Sequence, residues 1–252
     1  MRDDLLDAQA AVDWAVPQIP ALNNEFFSWI DANPFEQRIE PYPASGNDKA
    51  LVIYFVPLPR VFNAWAGAII NSLRSSLDLL AAALAKRNRA GRTHNTYFPI
   101  FSSVQIMNED PRRGIERIGW LSASDKAKIK SLQPYQGGDH SIWPLHKLDV
   151  RRKHERFAGV NSRFHVEFGT PDRGEGHFMV QGQAPIERSE NRIVLTNIPE
   201  FTLSLPKRDY IAPQIAFIEP SLGLGDHEVT TTLNRFAERV TEIINMFGTT
   251  GC

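Results

Sequence analysis

The stretch VFNAWAGAIINSLRSSLDLLAAALA, residues 61–85, decides the fold. It contains no proline and a single glycine, Gly67, and a basic segment beginning at Lys86 follows it. Apolar side chains recur along it at the spacing of an α-helix, about 3.6 residues per turn, and form one continuous stripe. The pattern predicts one long helix whose stripe faces a core. The residues of the stripe are Phe62, Ala66, Ile69, Leu73, Leu77, Leu80 and Leu84.

The opposite face of this helix is expected to be buried as well. It carries alanines and Gly67, and the span contains no lysine and no glutamate. A helix that lacks a charged face is typically enclosed on most sides, so the polar residues here are expected to lie inside the protein. Arg74 and Asp78 are four positions apart and can pair directly. Together with Asn71 and Ser75 they form the polar cluster of this helix.

A second helix is predicted to begin near Ile142 and to run to about Phe157. His146, Asp149 and Lys153 fall on the same angular sector as its apolar residues. Burying unpaired charge costs several kcal/mol, so charged side chains in such a sector need partners. We expect this sector to face the polar cluster of the first helix, so that the two helices share one internal polar network.

The remaining patterns predict an α+β fold, with a helical bundle core and an antiparallel β-sheet subregion. Two short helices, 4–16 and 21–32, are each expected to end at a proline. Short β-branched and aromatic runs between residues 163 and 217 are typical of an antiparallel sheet. The other predictions are strands at 37–42 and 49–56, a turn at 44–47, an irregular segment over 93–121 in which 112–118 could form one or two turns of helix, a short helix from 124 to 130 capped by Ser124, and an amphipathic helix over 226–247 capped by Asp226.

We predict a single domain over 1–252, because no linker is long enough to separate two domains. Residues 1–158 are expected to be mainly helical with two early strands, and residues 159–220 to be antiparallel β. The segment 221–248 is then a C-terminal helix that packs back on the helical core.

Charge and cysteine content limit the classes of function. The chain has 28 basic and 29 acidic residues and a formal charge of −1, so any binding to nucleic acid has to rest on a local basic surface. The single cysteine, Cys252, fits a reducing compartment, and no secretory signal precedes the first helix, which predicts a cytoplasmic protein. Polar residues interrupt the long helix, which favours a core helix over a membrane span.

Two interpretations of the polar network are open, beside the plain alternative that these residues form a solvated face. In the first it is a satisfied polar core that specifies the fold. In the second it is a catalytic site, in which His146 or His154 is the general acid or base beside Asp149, and Arg74 or Lys153 holds an anionic substrate group. A metal site made of the two histidines and Asp149 is a weaker alternative, since His154 points about 80° away from His146 on an ideal helix. We therefore predict neither a metal nor a cofactor.

Four short motifs follow one another along the chain. They are INSLRSSLD at 70–78, FPI at 98–100, LQPY at 132–135 and LHKLD at 145–149, the last followed by Lys153 and His154. Their order resembles that of a group of uncharacterised bacterial proteins. The helical part is also similar to HEPN-type α-helical domains, many of which are RNases in toxin and phage-defence systems.

The second resemblance implies a metal-independent activity on RNA. In HEPN nucleases an arginine and a histidine, separated by four to six residues, act on the ribose and the phosphate. Arg87 and Arg89 have this spacing to His94, whereas Arg151 and Arg152 stand too close to His154. The resemblance thus favours an RNA- or nucleotide-directed protein, either a nuclease or a degenerate relative. Its catalytic residues would be His146, Asp149 and His154, and its substrate-binding residues Asn71, Arg74, Asp78, Lys153, Arg89 and His94.

The alternative of a different class is a non-catalytic interaction or ligand-binding module, in which the same residues specify the core. A basic patch of Lys86, Arg87, Arg89 and Arg92 beside His94 is sufficient for a few phosphate contacts. Salt-sensitive RNA binding through this patch would favour the RNA-directed protein. The apolar stripe of the last helix suits its own chain or a second copy equally, which leaves a homodimer open; no membrane partner is expected.

Overall fold

The fold is α+β, as predicted. The computed structural model describes residues 2–41, 49–88, 96–166, 168–169, 177–178, 186–189, 192–195 and 211–248. The helices are α1 (Leu6–Ala32), α2 (Val61–Arg87), α3 (Val104–Glu109), α4 (Ala123–Ser131), α5 (Ile142–His154) and α6 (Val229–Gly248). The strands are β1 (Glu36–Pro41), β2 (Lys49–Tyr54), β3 (Val160–Val166), β4 (Phe168–Gly169), β5 (His177–Phe178), β6 (Ile186–Ser189), β7 (Arg192–Leu195), β8 (Ile211–Glu219) and β9 (Leu224–Glu228).

The chain forms two compact units. The first contains Met1–Asn23, Val61–Gly159 and Phe217–Cys252, and the second contains Asn24–Arg60 and Val160–Ala216. The first unit is the helical one and holds α2, α5 and α6. The second unit holds the four-stranded antiparallel sheet, with the strand order β1-β2-β7-β6.

The long helix predicted over 61–85 is α2, and every member of its apolar stripe is buried. On the opposite face Gly67 and Ala81 are buried too, while Ala68 is exposed. Among the described residues, α2 is the one helix that is long and apolar enough to cross a membrane, and 61% of its most apolar window is buried inside the protein. This burial is typical of the core helix of a globular protein.

Two helices pack on α2 within the first unit. Both α5 and α6 contact α2, and they also contact each other. Leu145 and Leu148 of α5 are buried, as are Phe236 and Val240 of α6. The prediction that the last helix returns to the helical core is therefore confirmed.

A buried carboxylate ties the end of α5 to the end of β8. Glu219 is 1% exposed and accepts hydrogen bonds from Arg151 at 2.7 Å and from both terminal nitrogens of Arg156 at 2.8 and 3.0 Å. The backbone N–H of Gly159 donates to the same carboxylate at 2.8 Å. With these donors the charge of Glu219 is compensated, which makes its burial tolerable.

The first helix departs from the prediction. A single helix, α1, replaces the two predicted segments, with Pro17 and Pro20 inside it. Each proline removes one intrahelical donor, which costs about 3 kcal/mol in an isolated helix. The apolar stripe explains why the helix continues, because it runs without a break through both prolines and its burial offsets that cost. The stripe consists of the buried residues Ala8, Val12, Ala15, Ile19, Leu22, Phe26 and Ile30.

In the second unit, the central strand β2 is buried, and Ala50, Val52 and Ile53 are each at most 2% exposed. Val52 of β2 pairs with Val194 of β7, and the two form a core cluster with Ala50. The two early strands are thus confirmed at Glu36–Pro41 and Lys49–Tyr54, within two residues of the predicted bounds.

Two local predictions were wrong, and a third was right only in part. Asp226 does not cap α6, because the chain is still in β9 there; Glu228 instead accepts hydrogen bonds from the hydroxyls of Thr230 and Thr231. Ser122, rather than Ser124, caps α4 and forms a capping box with Asp125. In the segment predicted to be irregular, α3, whose cap is Ser103, was not expected, whereas the 3-10 turn at Ile115–Arg117 lies within the helical turns that the sequence left open at 112–118. Short helices of this kind carry too little periodicity to be recognised from sequence.

The second predicted helix ends at His154, three residues earlier than expected. Several other predictions fall outside the described residues: the turn at 44–47, the strand expected at 201–205, and Arg89, Arg92 and His94 of the predicted basic patch. Of the two remaining members of that patch, Lys86 is exposed, whereas Arg87 forms an ion pair with Asp4 at 2.9 Å.

Candidate functional site

The predicted network between α2 and α5 is present, and Arg74 is its centre. This arginine is 4% exposed and donates from three nitrogens. Nη1 donates to Asp78 at 2.5 Å, Nη2 to the carbonyl of Phe98 at 3.3 Å, and Nε to Nδ1 of His146 at 3.4 Å. The i,i+4 pair expected within α2 is confirmed, and the contact with His146 joins the two helices.

Asp78 and Arg74 also position the segment that follows α2. The backbone N–H of Phe98 donates to Asp78 at 2.9 Å, so the ion pair holds both backbone polar groups of this residue. Three residues later the backbone N–H of Phe101 donates to the carbonyl of Pro134 at 2.8 Å. The segment 97–101 is thereby fixed as a wall opposite one face of α5.

Asp149 is the second centre of the network. It is 2% exposed, and its carboxylate forms ion pairs with Lys153 at 2.6 Å and with Arg152 at 3.3 Å. Arg152 also donates to Oδ1 of Asn71 on α2 at 2.6 Å. The aliphatic part of Arg152 crosses α2 where there is no side chain, since a Cβ on Gly67 would lie 3.1 Å from its Cδ. Arg152, which the sequence interpretation left out, is therefore the second link between the helices.

The environment of His146 keeps its imidazole neutral. Burial is the largest cause that lowers the pKa of His146 from 6.5 to about 4; the neighbouring charges of Arg74, Lys147 and Lys153 act in the same direction, and that of Asp149 opposes them. At neutral pH a histidine with this pKa carries no proton to release as an acid and is a weak base. His146 thus suits a neutral hydrogen-bonding role.

A cleft of about 760 Å³ opens beside this network, and we call it the α5 cleft. One side of the cleft is a single face of α5, because the α5 residues that line it lie three or four positions apart in the sequence. The other side is the fixed segment after α2, with Trp120 and Arg113 nearby. The residues on the α5 side are Trp143, His146, Lys147, Val150, Lys153 and His154, and the aromatic residues opposite are Tyr97, Phe98 and Phe101.

The α5 cleft combines positive charge with aromatic surface. Four arginines and lysines line it and only two carboxylates do, those of Asp78 and Asp149, each of which is already paired with a cation. The amino group of Lys147 lies over the ring of Trp143, 4.6 Å from its centre, and the opposite Tyr97 is 63% exposed. The cleft is thus locally cationic in a chain whose formal charge is −1.

The structure brings most of the predicted site residues together. Arg74, Asp78, His146, Asp149, Lys153 and His154 all line the α5 cleft, and Asn71 joins the network through Arg152. Arg89 and His94 lie outside the described residues. The metal alternative gains no support, because nowhere in the described ranges do three or more histidine, cysteine, aspartate or glutamate side chains form a group suited to a metal ion.

The sequence interpretation missed the aromatic residues of the cleft. Tyr97 and Trp120 lie in connecting segments, whose position relative to a helix no local pattern reveals. Trp143 carried a usable signal, since it precedes His146 and Lys147 by three and four positions and therefore shares their helix face.

Comparisons of the chain with protein-family models, curated protein sequences and solved structures found no match. The α5 cleft is therefore interpreted from its own geometry and chemistry.

Proposed function

We propose that the protein binds RNA or a nucleotide, and that the α5 cleft holds one nucleotide unit. The observation that carries this proposal is the lining of a single cleft by both aromatic rings and cationic side chains. Proteins that bind single-stranded nucleic acid use this pair of features, with bases stacked on aromatic rings at about 1–3 kcal/mol per base and cations along the backbone.

The cations of the cleft differ in what they can offer a ligand. Arg74 is committed to three acceptors, and Lys153 is paired with Asp149. Lys147 has no carboxylate within ion-pair distance among the residues that the structure describes, and its contact with Trp143 leaves its charge uncompensated. A phosphate close to Lys147 and a base against Trp143 or Tyr97 would use both features of the cleft.

Binding without acid–base catalysis by His146 is the form of this function that the site supports best. A neutral His146 whose Nδ1 accepts from Arg74 fits a structural part of the wall, and the paired Asp149 fits an anchor for α5. These roles agree with the degenerate relative, and with the non-catalytic ligand-binding module, that the sequence leaves open.

A nuclease remains the second candidate because of His154. This histidine is exposed at the end of α5 and lines the same cleft beside Lys153. Proton transfer in this candidate is assigned to His154, with Lys153 or Lys147 near the phosphate.

Binding is tested by saturation-transfer NMR with the four nucleoside 5′-monophosphates and the purified protein. We expect a saturable signal that Lys147→Ala and Trp143→Ala each weaken at least fivefold. Lys86→Ala is the matched control, since Lys86 is an exposed lysine of the sequence-predicted patch and does not line the cleft. Loss of binding in Lys86→Ala with unchanged binding in Lys147→Ala would contradict the assignment to the α5 cleft.

Cleavage is tested on a mixed RNA pool with a metal chelator present. The non-catalytic form predicts no cleavage above a blank preparation. Cleavage that His154→Ala abolishes, with an unchanged melting midpoint, would replace it with the nuclease candidate.

A further inference from the structure

A second cavity, of about 520 Å³, lies at the start of α5, in the same unit as the α5 cleft. Its walls come from the segment before α5, from the turn between β8 and β9, and from α6. The side chains that carry its chemistry are His140, His227, Arg235 and Ser221, and Asp139 is its one carboxylate.

Asp139 does not compensate the basic groups of this cavity. Its Oδ2 accepts from Arg239 at 2.8 Å, and its Oδ1 accepts from the backbone N–H groups of Ser141 and Ile142, both at 2.8 Å. The aspartate is thus used to begin α5 and to hold α6. Arg235 is exposed, and no carboxylate of the described residues lies within ion-pair distance of it. The second cavity is therefore suited to an anion, like the α5 cleft.

Trp143 connects the two cavities, because it lines both of them. From Trp143 the basic side chains extend in two directions. On one side, Lys147, Lys153 and His154 follow along α5. On the other side, His140 lies just before α5, His227 lies on β9 and Arg235 lies on α6. Basic groups thus stand on both sides of one aromatic ring, an arrangement that a ligand with a single phosphate would use only in part.

The sizes of the cavities favour the same conclusion. Pockets for small molecules measure about 300–1,000 Å³, so each cavity falls within that range and the two together exceed it. Grooves for single strands combine a basic track with aromatic rings along it, and they tolerate different bases because every base has a flat face.

We infer that the two cavities are neighbouring subsites for a single-stranded RNA segment that passes Trp143, so that the ligand is an oligonucleotide rather than a free mononucleotide. This inference rests on the proposed function of the α5 cleft. It adds a second phosphate contact, made by Arg235, and assigns to Trp143 the stacking position between the subsites.

The test measures affinity for uridine 5′-monophosphate and for oligouridylates of two, four and eight nucleotides, by fluorescence anisotropy competition. We expect the affinity of the wild type to rise at least tenfold from one to four nucleotides. Arg235→Ala should remove most of this rise without changing mononucleotide binding. Each phosphate contact adds about 0.7 to the slope of log affinity against log salt concentration, so Arg235→Ala should lower the slope for the tetramer by about that amount.

The controls separate this inference from the proposal on which it rests. Arg112→Ala removes an exposed arginine that lines neither cavity and should leave every affinity unchanged. Mononucleotide binding that shows no gain with length, or a gain that Arg235→Ala leaves intact, would overturn the two-subsite inference and leave the α5 cleft assignment standing. Absence of binding at every length, or equal affinity for an acidic peptide of the same charge as the tetramer, would overturn both.

Discussion

Nε of Arg74 donates to Nδ1 of His146 at 3.4 Å, and this hydrogen bond links the two central helices of the first unit. Since Nδ1 acts as the acceptor, hydrogen-bond geometry assigns the proton of the neutral imidazole to Nε2. Protonation of Nδ1 would place a donor against a donor and a second positive charge beside the guanidinium. The helix pair thus disfavours the charged form of His146, in agreement with its pKa of about 4.

The first prediction concerns the pH dependence of stability. The pKa of His146 is about 4 in the folded protein and 6.5 in the unfolded chain, so the unfolded chain binds the proton first as pH falls. The stability contributed by the neutral imidazole is fully present above about pH 6.5 and is lost between there and pH 4. We expect the free energy of unfolding to fall by about 2 kcal/mol between pH 7 and pH 5 through this group.

The measurement for this prediction is the melting midpoint at both pH values. The control is His146→Gln, which keeps an acceptor for Arg74 but cannot titrate. Between pH 7 and pH 5, the melting midpoint of this variant should fall by several degrees less than that of the wild type. Equal differences in the two proteins would show that folding does not lower the pKa of His146.

The second prediction compares the two partners of one ion pair. Asp149→Asn should lower the free energy of unfolding by about 1.5–3 kcal/mol, because Arg152 and Lys153 lose the buried carboxylate that they share. Lys153→Met should cost no more than about 1 kcal/mol, since the Lys153 side chain is 42% exposed and the Arg152 contact with Asp149 remains. Urea unfolding measures both losses of free energy. If the two losses were comparable, the contribution of Asp149 to stability would come from its pair with Lys153 alone.

The third prediction concerns the carboxylate that holds α5 to β8. Glu219→Gln keeps the size of the side chain but removes the charge that Arg151, Arg156 and Gly159 share. We expect a loss of about 2 kcal/mol in the free energy of unfolding and a melting midpoint lower by several degrees. Glu238→Gln, at an exposed position of α6, is the matched control and should stay within about 0.5 kcal/mol of the wild type. If the two variants melt alike, the cluster around Glu219 contributes nothing to stability.

The fourth prediction distinguishes two serines near the start of α4. Ser122 accepts from the backbone N–H of Asp125 at 3.1 Å, while Ser124 is exposed inside the first turn. Ser122→Ala should lower stability by about 1 kcal/mol. Ser124→Ala should leave stability unchanged or raise it slightly, because alanine is the better helix former. The reverse order in thermal unfolding would support the cap that the sequence pattern indicated.

The polar network was predictable because it follows helical geometry. The i,i+4 spacing of Arg74 and Asp78, and the shared sector of His146 and Asp149, depend only on about 100° of rotation per residue. Once both helices are predicted, charged residues on buried faces need partners, and the two sets are the obvious ones for each other. The contact between Arg74 and His146 bears this out.

The role of Arg152 and the aromatic side of the cleft depended on tertiary structure. Arg152 reaches Asn71 only because its stem crosses α2 at Gly67, and nothing in the order of residues shows which glycine meets which side chain. Tyr97 owes its place to the hydrogen bonds that Phe98 makes with the ion pair of α2. Such positions are set by packing between elements distant in sequence, whereas periodicity reports only on neighbours.

The error over α1 has a different cause. Two helices were predicted because proline normally ends a helix: its ring removes a donor and clashes with the preceding turn. The stripe of buried residues spaced three and four apart indicated one helix, and this longer-range signal was the correct one. Where periodicity and a local helix breaker disagree, burial of a long stripe can decide the outcome.

The prolines inside α1 also bear on how the protein folds. Pro17 and Pro20 leave the carbonyls of Asp13 and Val16 without their usual intrahelical donors, and both of these residues are exposed, so water can satisfy the carbonyls. A helix with two such gaps has little tendency to form before its apolar face is covered. Helical order in α1 therefore depends on coverage of its apolar face by the rest of the chain.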